Sequence, residues 1–189
     1  MYETSDSSVM GQVRDGDLGS MAVLFERHHR ALLNYFVHMN GNRDFSEDLV
    51  QDVFVRMMRY RQSYQPDKPF SAWMYQIARN AQSDAMQKRR FEVELGHADV
   101  SMTHGMDEKL KREQEIELLR RAMARLSVDK RELLVLSRFQ NLKYEEIASI
   151  LGCEVGAVKV RVYRAVRALG QIFFELSQRR MAAPGEEMA

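Results

Sequence analysis

Four cations, Lys159, Arg161, Arg164 and Arg167, fall close together in a stretch that carries no acid between Gly156 and Phe174. A guanidinium can grip guanine O6 and N7 with two parallel hydrogen bonds, and a lysine ammonium meets a phosphate as a point charge. An unopposed cationic stripe is therefore chemistry for duplex DNA. The elements that must hold it are legible around it. Ala148, Gly152 and Val158 stand at the small, turn and inward-anchor positions of a helix-turn-helix. Ile147 and Leu151 share one face of the first helix, while Val158, Val162, Ala165, Leu169 and Ile172 step along the second by fours and threes. At about 100° per residue, Ala157, Val160, Arg161 and Arg164 come to the outer face, with Lys159 and Arg167 flanking it. Such a helix fits the major groove. Arg161 and Arg164 are the candidates for base contact, Lys159 and Arg167 for phosphate. A solvated amphipathic helix could carry the basic stripe, but the Ala, Gly and Val spacing argues against that reading.

Asp48, Gln51 and Asp52 lie at i, i+3 and i+4, which puts two carboxylates and an amide on one exposed helical stripe. They read either as an interface or as a solvated acidic face. Other chemistries are excluded. There is no nucleotide-binding loop, no Gly-x-Ser-x-Gly and no metal-ligand spacing among His28, His29, His38, His97 and His104, so neither an enzyme, a cofactor nor a metal site is expected. Cys153 is the single cysteine, which forbids an internal disulfide, and it sits in an apolar slot as a small hydrophobe. Apolar runs are broken by charges within a few residues and the N-terminus is polar and acidic, so no membrane insertion and a cytoplasmic location are expected.

The net charge of +1 conceals a pattern. Residues 20–91 carry +4, residues 92–115 carry −4 and residues 116–180 carry +6. Residues 92–115 also hold Gly96 and Gly105 without a sustained apolar period, and so form a flexible acidic linker, either a solvated spacer or a strand for a cationic channel. Before it, apolar periodicity predicts helices from Ser20 to Met39, ended by Gly41, from a Ser46 cap onward with Leu49, Val50, Val53, Phe54, Met57 and Met58 inward, and from Ser71 to about Arg90. Pro66 and Pro69 require a loop between the last two. After the linker, helices are predicted from about Asp107 to Leu126 and from Asp129 to Phe139, followed by the helix-turn-helix. No alternating run suggests a strand. The fold is expected to be all-α: two small helical bundles, residues 20–91 and 116–176, joined by the linker, with an N-terminal extension over 1–19 and a C-terminal tail over 177–189.

Three words, EDLVQDVF from Glu47, PFSAWMYQIARN from Pro69 and LSVDKRELLVLSRFQNLKYEEIASILGCEVGAVKVRVYRA from Leu126, resemble the extracytoplasmic-function group of bacterial RNA polymerase sigma factors, in order and at family spacing. The resemblance implies a subunit that binds core RNA polymerase through Asp48, Gln51 and Asp52 and directs promoter-specific initiation. It implies that Tyr64 and Asn80 hold a flipped base of the melted minus-10 strand, while Arg79, Lys88, Arg89 and Arg90 track its phosphates. Phe70 and Trp73 are apolar helical positions at which core packing competes with base contact. The second bundle would read duplex minus-35 DNA through Ala157, Lys159, Val160, Arg161, Arg164 and Arg167. Here Ala157 and Val160 stand where the family commonly has a hydroxyl residue and a serine. An anti-sigma protein is an implied partner. The competing reading, a free-standing helix-turn-helix regulator, needs neither EDLVQDVF nor the Trp73 to Asn80 helix, and the first 90 residues show no strand pattern for a receiver domain.

Overall fold

The computed structural model describes residues 4–94 and 110–181, the side chains of 90–94, 110–113 and 180–181 excepted. All regular structure among the described residues is helical. The chain starts with a helix where only an extension was expected. In α1 (Asp6–Arg14), Ser5 caps the first turn by accepting from the Ser8 amide, and Val9, Met10 and Val13 are buried against the first bundle. Asp6 fastens it, accepting from Arg27 at 2.8 Å and lying 2.7 Å from His28 Nε2.

Two long antiparallel helices come next. α2 (Met21–Asn40) buries Leu24, Leu32, Tyr35 and Phe36, and ends at Gly41, whose φ of 72° is the left-handed conformation that glycine adopts without strain. α3 (Arg43–Arg59) begins earlier than the Ser46 cap anticipated. Asn42 caps it by accepting from the Phe45 amide at 2.9 Å, while Ser46 is buried inside the first turn and donates back to the Asn42 carbonyl. Asn has the same capping chemistry as Ser, and its position one turn upstream wins because residues 43–45 can then join the helix. Met58, expected inward, is 37% exposed. The Pro66 and Pro69 segment is a loop, and α4 (Phe70–Glu94) runs beyond the anticipated Arg90. Asn40 and Gln82 exchange side-chain hydrogen bonds, tying α2 to α4.

In the second bundle α5 (Leu110–Arg125) and α6 (Val128–Leu134) pack on α8 (Val155–Met181), and α7 (Tyr144–Leu151) completes the helix-turn-helix. The helix expected over Asp129–Phe139 is not uniform: Val135–Phe139 widens into a π turn, with the Gln140 amide donating five residues back to Val135 at 2.9 Å. The buried Ser137 hydroxyl donates to the Leu133 carbonyl at 2.6 Å and so satisfies itself locally. The two bundles are not beads on a string. α4 packs on α7, and α2 packs on α6 and the π turn, so that buried side chains of both halves form one continuous cluster.

Candidate nucleic-acid and polymerase interfaces

The helix-turn-helix is built as its spacing requires. The Lys143 amide donates to Glu146 Oε2 at 3.1 Å, which fixes the first turn of α7, and Gly152 takes φ 61° so that Cys153 N–H can close on the Ala148 carbonyl at 3.0 Å. Val158, Val162 and Ala165 are buried, and Ala148 is small enough to let α8 approach. The opposite face is open: Lys159, Val160, Arg161, Arg164 and Arg167 are exposed and Ala157 is half-buried. Tyr163, 61% exposed, is a member of this face that the charge pattern did not single out; the Arg167 guanidinium sits 5.9 Å from its ring centre.

The face of α4 expected to meet melted DNA is met instead by the second bundle. Arg79 Nε donates to Glu132 Oε1 at 2.8 Å and Arg79 Nη1 to the Ile150 carbonyl at 3.3 Å. The same Glu132 oxygen accepts from the buried Tyr35 hydroxyl at 2.8 Å. Around this centre Ser71 donates to Glu146 at 2.5 Å, Gln76 to the Ser149 carbonyl at 3.1 Å and Tyr75 to Gln140 at 3.0 Å. Holding Glu132 through Nε and the Ile150 carbonyl through Nη1, Arg79 cannot present its full guanidinium fork to a phosphate in this closed arrangement.

Next to Arg79, an open cleft of about 540 Å³ is lined by Tyr60, Ser63, Lys68, Trp73 and Asn80, with Ser149 on its far wall. Asn80 is exposed, and Trp73, half-buried, is oriented by an Nε1–H···Oγ hydrogen bond to Ser63 at 3.3 Å. Tyr64 is different. Its ring is 2% exposed and packs between Phe70 and Trp73, so in this arrangement it is a floor for the loop and offers no open face to a base. The loop sequence gave no hint of this, because a single aromatic just before two prolines has no period to report its burial. Phe70 is buried as well, against His28. Lys88 is exposed and Arg89 lies over the Phe45 ring at 5.2 Å; the Arg90 side chain falls outside the described residues, as does most of the acidic linker.

On α3, Asp48 and Gln51 are exposed, but Asp52 already accepts from Arg56 at 2.9 Å, and Arg56 reaches on to Asp84 of α4 at 2.6 Å. These carboxylates hold the Arg56 proton more firmly than usual, the Asp84 hydrogen bond being the main cause. Val55, 63% exposed one turn beyond Gln51, adds an apolar knob to the acidic stripe. An apolar residue that falls off the inward ladder was the signal for it.

Burial, then the neighbouring Glu132 charge, pushes the Tyr35 phenol well above its ordinary range; burial, then Glu146, does the same to Tyr75. A phenol with a raised folded-state pKa contributes stability that is fully present below its unfolded value near 10 and is lost as pH climbs toward the folded value. Tyrosinate absorbance at 295 nm should accordingly show the Tyr35 and Tyr75 phenols silent through pH 10–11, appearing only with alkaline unfolding. Seven phenols titrating smoothly near pH 10 would contradict the closed packing.

Residues 24–92 match the family model for sigma-70 region 2 and residues 116–169 that for sigma-70 region 4. The chain is 33% identical to the ECF RNA polymerase sigma factor EcfG of Rhodopseudomonas palustris, over 76% of this chain and 80% of the relative, and 30% identical to RNA polymerase sigma factor CarQ of Myxococcus xanthus, over 88% and 97%. Among solved structures it is similar to CnrH in complex with the cytosolic domain of CnrY, with a TM-score of 0.69 at 25% identity over 90% of this chain and 97% of that one. It is also similar to RpoE of Bartonella quintana in complex with the anti-sigma factor NepR, with a TM-score of 0.66 at 26% identity over 80% and 94%. The two bundles therefore define a sigma-70-type initiation factor. Within that class the chain belongs to the extracytoplasmic-function group: it is an alternative sigma factor, whose partners are core RNA polymerase and promoter DNA. Among the described residues no helix is long and apolar enough to cross a membrane.

Proposed function

We propose that the residues divide the work of initiation among three surfaces. Asp48 and Gln51, with the exposed Val55 beside them, dock on a basic and apolar surface of core polymerase. Asp52 takes part less directly, since its carboxylate is occupied by Arg56. Asn80 and Trp73 receive an unstacked minus-10 base in the cleft they line, where an indole face and an amide supply stacking and hydrogen bonds worth about 1–3 kcal/mol per base. Arg79, Lys88, Arg89 and Arg90 follow the backbone, which positions the strand without reading it. Arg161 and Arg164 read minus-35 bases, and Lys159 and Arg167 hold phosphates. No bond is made or broken by this chain; catalysis stays with the polymerase, in the cytoplasm.

The observation that carries this reading is the pairing of an open cationic recognition helix with a separate aromatic and amide cleft, on bundles of the two matched regions. In the closed form the second bundle engages Arg79 through Glu132 and the Ile150 carbonyl, and full engagement of that guanidinium with DNA has the bundles part. An anti-sigma protein, the kind of partner seen with the solved relative RpoE, would act by holding that form or by covering the faces that parting exposes. The test is transcription with sigma-free core enzyme and a promoter library, together with an Asp48→Lys variant. We expect run-off transcripts from the native chain, and for the variant at least a tenfold loss of core binding in co-purification, because a like charge now faces the docking surface. Native affinity in Asp48→Lys would remove α3 from the core interface, and silence of the native chain on every template would defeat the reading as a whole.

A further inference from the structure

The cationic face of α8 has a gap in its polarity. Val160 is 49% exposed, lies about 200° around the helix from the buried Val158, and is flanked by the exposed Lys159, Arg161 and Arg164. No described part of the chain covers it. Ala157, one turn before, likewise brings no hydrogen-bonding group. The other exposed apolar groups of α8 differ: Val166 is turned about 120° around the helix from Val160, Phe174 stands about four turns farther along it, and Tyr163 has a hydroxyl and lies beneath Arg167.

The major groove restricts what such a residue can meet. Guanine and adenine present donors and acceptors there, cytosine an amino donor beside a bare C5–H, and an isopropyl group pressed on those edges would leave polar groups desolvated and unpaired. Thymine alone presents a methyl, at C5. We propose that Val160 seats against the C5 methyl of one thymine in the minus-35 element and makes this factor select a T·A pair at that position. The inference rests on the reading that α8 enters the major groove of promoter DNA, and adds to it which base an unpaired valine can accept. Selection then combines a modest attraction, burial of one methyl, with a larger rejection of the polar edges of the other bases.

Deoxyuridine keeps the pairing of thymidine and lacks only the methyl, so it isolates the contact. The full-length chain with core enzyme would first be used to select active promoters from a library randomised across minus 35. Each minus-35 thymine of the best duplex would then be replaced singly by deoxyuridine, and holoenzyme binding measured for the native chain and for Val160→Ser. We expect one position where loss of the methyl weakens native binding about fourfold, the size of one buried methyl group, and no loss there for Val160→Ser. Circular dichroism and undiminished retention of core enzyme in co-purification would show that the variant remains folded. A selected element without a methyl-dependent thymine, or a methyl effect that persists in Val160→Ser, overturns the inference and leaves Val160 to a protein partner. A library that yields no transcript at all defeats the promoter reading itself, and is distinguishable because nothing is then selected.

Discussion

Glu132→Ala is expected to open the protein. Glu132 belongs to the second bundle, yet both donors to its carboxylate, Tyr35 and Arg79, come from the first. Deleting it removes two hydrogen bonds from the closed form and leaves the fully buried Tyr35 hydroxyl without an acceptor, whereas in an open form the same side chain would only have been solvated. Breaking one partner out of a buried ion pair costs about 3–5 kcal/mol, and the 37% exposure of the Arg79 side chain argues for the lower side, roughly 2 kcal/mol after solvent screening. That moves the closed-to-open ratio by about thirtyfold. Small-angle scattering should report a larger radius of gyration, and holoenzyme should form faster than with the native chain. Glu132→Gln, whose amide oxygen can still accept, should fall between the two. If Glu132→Ala scatters like the native chain, Glu132 is not what holds the halves together.

Arg131, the preceding residue, should matter to stability more than to opening. Its guanidinium donates to the carbonyls of Met123 at 3.0 Å, Ala124 at 2.6 Å and Leu126 at 3.2 Å around the end of α5, and to Met39 at 2.6 Å near the end of α2. Two helix C-termini, each with orphan carbonyls and a partial negative charge, converge on one cation. Partial burial lowers the Arg131 pKa, but a guanidinium remains charged throughout the physiological range. Arg131→Met keeps the length of the stem and leaves four acceptors to water or to nothing. At about 1.5–3 kcal/mol for a hydrogen bond to a charged group, discounted because the rim carbonyls rehydrate, the loss should be about 3 kcal/mol. For a bundle of this size that lowers the midpoint by roughly 10 °C or more in calorimetry. Arg131→Lys should recover only part of it, since an ammonium lacks the planar fork that reaches several carbonyls at once. A midpoint within 2 °C of native, on the order of a ΔΔG of 0.5 kcal/mol, would mean that these hydrogen bonds are replaced by water without cost.

The helices were legible because their inward positions repeat: Val158, Val162 and Ala165 in α8, or Leu49, Val53 and Met57 in α3, are apolar at a period that only a helix satisfies, and all are buried. The glycine turns at Gly41 and Gly152 were legible because a residue type and a backbone conformation coincide there. What escaped has no period. Asn42 and Ser46 are equally good caps by type, and the difference between them is which one leaves its neighbours able to coil. The burial of Tyr64 depends on Trp73 and Phe70, which come from a different element. The occupation of Arg79 depends on Glu132, 53 residues away. A basic residue on a DNA-facing helix gives the same local pattern whether it waits for phosphate or is already held by a carboxylate. For the candidate interfaces, then, the residue types and faces were readable, and their state of engagement was not.

The π turn at Val135–Phe139 has one residue more than an α-helical path of the same rise would use. That surplus rotates the downstream chain by about 100°. In the rotated position Phe139 meets His38, 3.9 Å between ring centres, and Gln140 meets the Tyr75 hydroxyl. The spare residue works like a vernier: chain length between Leu134 and Gln140, more than the identity of any side chain there, sets the angle at which one half presents itself to the other.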